Sequence, residues 1–203
     1  MKLTRLPYRT LAIVRGTDPE AALRTVLTLA EEGLTAVEVS LTTADALDVI
    51  ERARRSLGPQ ALLGAGTVRT AADARRAAEA GAAFLVSPGS DEPLESELPL
   101  LIGALTPSEV MRAVRLGASA VKLFPASIGG PGYLRALRDP FPQVPFLPVG
   151  GVDAELARAY LAAGAAAVGV GSPLVGDAAN GGPLSELRAR TARWRAELAE
   201  VAV

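Results

Sequence analysis

Of the 21 basic residues in this chain only two are lysines, Lys2 near the N-terminus and Lys122 in the interior of the sequence. Lys122 lies in Ser119-Ala120-Val121-Lys122-Leu123-Phe124-Pro125, a run that otherwise reads as a buried β-strand. A guanidinium stays protonated and forms no imine, whereas a desolvated lysine can release its proton and attack a carbonyl carbon. In a chain that uses arginine for nearly every other positive charge, an amine kept at this place points to amine chemistry. The competing interpretation is a lysine that snorkels or pairs at a strand end.

A carboxylate shares its register. Four segments repeat one pattern, a glycine, a few small residues and then an apolar run: Gly33 to Val39, Gly81 to Ser87, Gly117 to Leu123 and Gly164 to Val170. Five residues on from each glycine stand Glu38, Val86, Lys122 and Gly169. Side chains alternate faces along a strand. If Val121 and Leu123 face covering helices, then Ala120, Lys122 and Phe124 face inward; by the same count Ala36, Glu38 and Ser40 face inward while Val37, Val39 and Leu41 face out. A carboxylate and an amine are each expensive to bury alone, so two at one height read as a functional pair, against the alternative of a structural ion pair.

These residues need a scaffold, and the chain supplies one in regular units. Thr10 to Val14 is a first apolar run; Asp18 then caps a helix with Pro19 at its first position, which runs to Glu32 and stops at Gly33. Further apolar runs at Ala61 to Ala65, Pro99 to Leu105 and Val144 to Val149 lie between the four repeats, with helix starts such as Thr106-Pro107-Ser108-Glu109 after them. The sum is eight strand-helix units. Short, nearly all-apolar strands, each with its own crossover, predict a closed (β/α)8 barrel forming a single domain over residues 1–203. An open doubly wound sheet is the alternative, but its Gly-x-Gly-x-x-Gly signature is missing after the first strand. In such a barrel Glu38 and Lys122, on the second and sixth strands, face one another across the lumen.

Composition narrows the chemistry further. The 203 residues are 49% hydrophobic and can bury one sizeable core. With no cysteine and no histidine, thiolate nucleophiles, disulfides, histidine-based triads and the usual zinc sites are excluded. A net charge of −1 with 4% aromatics offers no nucleic-acid surface. The absence of a membrane-length apolar run and of a signal-like N-terminus predicts a soluble, cytoplasmic protein with no membrane partner. The expected partner is a small molecule. Glycines gather where strands end: Gly64-Ala65-Gly66-Thr67, Pro88-Gly89, Gly150-Gly151 and Gly171-Ser172. The last two pairs follow the seventh and eighth strands, where barrels of this kind commonly hold phosphate on backbone N–H groups.

Taken in order, Val37-Glu38-Val39, Gly64-Ala65-Gly66-Thr67-Val68, Val86-Ser87-Pro88-Gly89, Thr106-Pro107-Ser108-Glu109, Val121-Lys122-Leu123-Phe124-Pro125-Ala126 and Gly150-Gly151-Val152 resemble the 2-keto-3-deoxy-6-phosphogluconate (KDPG) aldolase and 4-hydroxy-2-oxoglutarate (KHG) aldolase family. The resemblance runs from about Ala12 to Leu174. It implies a class I, cofactor-free and metal-free aldolase, usually a homotrimer, that cleaves a 2-keto-3-deoxy sugar acid to pyruvate and an aldehyde. Lys122 matches the Schiff-base lysine and Glu38 the proton-transferring carboxylate. Arg15 matches an arginine present in part of the family, suited to a carboxylate clamp with Thr67 assisting. Phe124 and Pro88 are expected at the pocket wall, and Gly150, Gly151, Gly171 and Ser172 at the phosphate. The implied substrate is 2-dehydro-3-deoxy-6-phosphogluconate, with the galactonate epimer and 4-hydroxy-2-oxoglutarate as alternatives. Two positions differ from the common pattern: Thr42 replaces an arginine or asparagine, which removes one polar contact to substrate, and Val170-Gly171 replaces two glycines. Outside the aldolases, the same residues fit a barrel isomerase or synthase that forms no imine, or a binding barrel without activity.

Overall fold

The computed structural model describes residues 2–199. Eight parallel strands form one sheet: β1 Thr10–Val14, β2 Ala36–Ser40, β3 Leu62–Gly66, β4 Leu85–Ser87, β5 Leu100–Ala104, β6 Ala120–Leu123, β7 Phe146–Pro148 and β8 Val168–Val170. Their order is β7-β6-β5-β4-β3-β2-β1-β8, and a bridge between Val149 and Gly169 joins the two ends into a (β/α)8 barrel. The helices are α1 Pro19–Glu31, α2 Ala46–Leu57, α3 Ala71–Glu79, α4 Pro107–Arg115, α5 Gly130–Arg138, α6 Ala154–Ala162, α7 Ser172–Val175 and α8 Leu184–Leu198.

The expected one-to-one alternation fails in two places. Residues 88–99 connect β4 to β5 without a helix, and β8 is followed by two helices, the short α7 and the long α8. Pro88, Pro93 and Pro99 divide the β4–β5 connection, and each proline lacks the N–H that a continuing helix would need. Elsewhere the start signals act as read. Asp18 accepts from the Ala21 N–H at 2.9 Å, and Thr70 with Asp73 and Thr106 with Glu109 form capping boxes on α3 and α4.

Alternation along the strands sorts side chains into two clusters. Val37, Val39, Val121, Leu123, Val168 and Val170 pack outward against the helices. Leu11, Ala36, Phe84, Val86, Leu101, Ala120 and Leu147 fill the lumen. Leu3, on the first of two 3-10 turns ahead of β1, and Leu6, between those turns, join the lumen cluster and plug the barrel at the N-terminal ends of its strands. Although Lys2 is exposed, the segment that follows it is therefore anchored, not frayed.

The seam between β7 and β8 is thin, and Pro148 accounts for it. Val149 donates its N–H to Leu123 O on the β6 side, whereas Phe146 O accepts from Ala166 on the β8 side. By alternation Pro148 also faces β8, where it has no N–H to give.

Leu6 is 4% exposed at the plug. Leu6→Ala is expected to destabilise the fold by about 2–5 kcal/mol, the usual range for such a core truncation. Because the plug lies at the end opposite the strands' carboxyl termini, the folded fraction should keep its turnover number. Denaturant titration and active-site-normalised kinetics check both parts, and a native midpoint would show that the plug is dispensable.

Candidate active site at the barrel mouth

The mouth at the carboxyl ends of the strands holds a cavity of about 430 Å³. Every site residue singled out from the sequence lines it: Arg15, Glu38, Thr67, Pro88, Lys122, Phe124, Gly150, Gly151, Gly171 and Ser172. The strand order places β2 and β6 on opposite sides of the ring, so Glu38 and Lys122 approach the cavity from facing walls. Both are buried, at 2% and 6% exposure. No ion pair within 4.0 Å joins them, which sets aside a direct structural salt bridge.

The register explains how a carboxylate fits inside. Glu38 pairs with Gly64 and Ser40 with Gly66. A Cβ on Gly66 would come within 2.4 Å of Glu38 Oε1, and one on Gly64 would strike the Phe84 ring. The β3 glycines thus provide space for neighbouring side chains, in addition to ending the strand. Glu38 Oε2 is buried and accepts no hydrogen bond among the described residues. Burial accordingly raises the Glu38 pKa above the usual carboxylate range, while the positive charges of Lys122 and Arg15 pull it partly back. A carboxyl in that setting holds its proton to higher pH than an exposed one does.

Lys122 pairs in register with Gly103 on β5 and Leu147 on β7. Its Nζ lies 4.9 Å from the centroid of the Phe124 ring, and among the described residues no hydrogen bond or ion pair engages it. Phe124 is 39% exposed and sits at the rim of the cavity, one residue past the end of β6 at Leu123. Its ring still walls the cavity beside the amine. On the adjoining β7 side Gly150 and Gly151 adopt φ of +106° and +70°, conformations that glycine takes without a steric penalty.

Thr42 takes part in a hydroxyl chain that the sequence does not reveal. Its hydroxyl is within 2.8 Å of Ser40 Oγ, which in turn is 2.8 Å from Thr67 Oγ1. Rather than only deleting a polar contact, Thr42 anchors a hydroxyl chain that holds Thr67, itself at φ +60° and so in a region where a β-branched residue is strained. Ser40 was legible as inward-facing but not as the middle of this chain. Asn180, which also lines the cavity, was not singled out at all; its rarity, as the chain's only asparagine, was the available signal.

The fold and the mouth define a (β/α)8 barrel that carries its reactive groups at the carboxyl ends of its strands. Residues 3–182 match the family model for KDPG and KHG aldolases, and the chain belongs to that family. It is 45% identical over 140 residues to the 2-dehydro-3-deoxy-phosphogluconate aldolase of Pseudomonas aeruginosa, a stretch covering 66% of this chain and 63% of that enzyme. It is 39% identical over 149 residues, 70% of each chain, to the KHG/KDPG aldolase of Escherichia coli K12. Among solved structures, the KDPG aldolase of Legionella pneumophila, with pyruvate captured as a covalent carbinolamine, superposes with a TM-score of 0.79 at 30% identity. The match covers 98% of this chain and 94% of that one.

The raised pKa of Glu38 has a signed consequence. The native state holds the proton to higher pH than the unfolded chain does, so stability falls as pH rises from the ordinary carboxylate range toward the native value. Glu38→Gln removes that loss. It is expected to raise Tm at pH 8, and by less at pH 4. Equal shifts at both pH values in a thermal melt would mean that the buried charge is not what penalises the fold.

Proposed function

We propose that this protein is a class I, metal-independent aldolase that cleaves 2-dehydro-3-deoxy-6-phosphogluconate to pyruvate and glyceraldehyde 3-phosphate, with 4-hydroxy-2-oxoglutarate as a second substrate. The observation that carries the proposal is the convergence of a buried amine, a buried carboxyl of raised pKa and glycine-rich loops on one cavity. An isomerase or synthase without an imine would use Glu38 and Lys122 as an acid/base couple instead, and covalent capture of pyruvate on the lysine separates the two mechanisms.

The Lys122 amine adds to C2 of the keto acid, and loss of water from the carbinolamine gives a protonated imine. Breaking C3–C4 sends its electron pair into that imine as an enamine. Glu38 takes the C4 hydroxyl proton as the aldehyde departs and returns a proton to C3 of the enamine. Water then releases pyruvate and regenerates the amine. Arg15, exposed at the end of β1, clamps the substrate carboxylate together with the Thr67 hydroxyl. Gly150, Gly151, Gly171 and Ser172 receive the phosphoryl group on backbone N–H groups and a hydroxyl. A homotrimer in the cytoplasm completes the proposal. An apolar cleft lined by Met111, Val114, Phe141 and Val144, the first two 52% and 48% exposed, supports a subunit contact. Among the described residues no helix is long and apolar enough to cross a membrane.

Incubation with pyruvate and borohydride should add one reduced pyruvate group per chain, located at Lys122 by peptide mapping. Label confined to exposed Lys2 or the N-terminus would sink the imine mechanism. For the phosphate loops, Ser172→Asp places a negative charge against a dianion and should lower kcat/KM for the phosphorylated sugar acid by about ten- to hundredfold. Cleavage of 4-hydroxy-2-oxoglutarate should fall less, and equal losses would remove the phosphate assignment.

A further inference from the structure

Asn180 occupies a 3-10 turn, Ala178–Asn180, that follows α7 and leans over the mouth from the β8 side. Its carboxamide orientation is fixed by chemistry and not by choice of fit. Oδ1 accepts the Thr17 backbone N–H at 2.8 Å and the Thr17 hydroxyl at 3.2 Å. A backbone N–H only donates, so the group facing it must be the carbonyl oxygen, and the NH₂ must point elsewhere. Among the described residues that NH₂ has no acceptor. Asn180 borders the same cavity as Gly171, Ser172 and Gly176.

The turn is also held rigidly. A Cβ on Gly16 would come within 2.0 Å of Ala179 O, so the loop carrying Arg15, Gly16 and Thr17 lies directly on the 178–180 turn. Donors held this firmly lose little entropy when they meet a ligand. A rigid amide with two free N–H groups, beside a loop suited to phosphate, matches an oxyanion acceptor and no other part of an acyclic sugar acid as well.

We infer that Asn180 is a substrate-contacting residue whose Nδ2 donates to the phosphoryl group resting on Gly171 and Ser172, and that the same side chain, through Oδ1, holds the loop that carries Arg15. The inference rests on the phosphate assignment made above. It gives Asn180 two separable roles, one toward the phosphate and one toward the Arg15 loop.

The two roles are separated by a ratio. Arg15 serves a carboxylate that both substrates carry, so weakening its loop lowers kcat/KM for the phosphorylated sugar acid and for 4-hydroxy-2-oxoglutarate together. Loss of the phosphate donor lowers only the first. The ratio of the two kcat/KM values also cancels any loss of folded protein, because both substrates meet the same enzyme. Asn180→Ala should lower that ratio about tenfold, the usual effect of removing a hydrogen bond to a charged group. Asn180→Asp, which keeps an acceptor for Thr17 but opposes the dianion, should lower the ratio further. An unchanged ratio in Asn180→Ala would overturn the inference and leave Asn180 as a loop tether. If Ser172→Asp shifts the ratio while Asn180→Ala does not, the inference alone fails; if neither shifts it, the phosphate assignment fails with it.

Discussion

The burial of the Glu38 carboxyl is the constraint on which the barrel mouth depends. A group that is 2% exposed, with one oxygen lacking any protein donor, raises the free energy of the native state whenever it is ionised. The fold meets that cost by distance and shape. Glycines at Gly64 and Gly66 leave the volume that the side chain and the neighbouring Phe84 ring require. Arg15 and Lys122 oppose the desolvation from outside contact distance, so they temper the pKa without fixing the carboxylate in a closed pair. A contact salt bridge would hold both partners in their charged forms, whereas burial here favours the neutral carboxyl.

Holding such a mouth open requires the loops around it to be pinned from behind. Tyr160, fully buried on α6, donates its hydroxyl to Ala126 O at 2.6 Å, just beyond Phe124 and Pro125. Tyr133 on α5 does the same for Leu105 O, also at 2.6 Å. A Cβ on Gly150 would lie 3.4 Å from the Phe124 ring, so the loops after β6 and β7 support each other. The two tyrosine hydroxyls thus fix the loops after β5 and β6, and the Thr42–Ser40–Thr67 hydroxyl chain those after β2 and β3.

Much of this was legible because a period-two pattern carries direction as well as secondary structure. The glycine-aligned register put Glu38 and Lys122 on the lumen face, and the strand ends brought the remaining site residues to one cavity. What escaped had identifiable causes. The β4–β5 connection was expected to hold a helix because its length allows one, yet its prolines forbid a continuous turn. The Ser40–Thr67 hydroxyl contact spans 27 residues and needs the pairing of β2 with β3, and the Asn180–Thr17 contact spans 163 and needs β1 to meet β8, so local pattern says nothing of either.

A closed barrel hides every strand, but this one retains two that are edges in all but position. β7 and β8 meet through a single bridge and a few backbone contacts, so the seam is where a transient opening would expose unpaired backbone to other chains. Pro148 sits on that side of β7 and has no donor for an incoming strand. The residue that thins the seam is therefore also what makes the bared edge a poor template for aggregation.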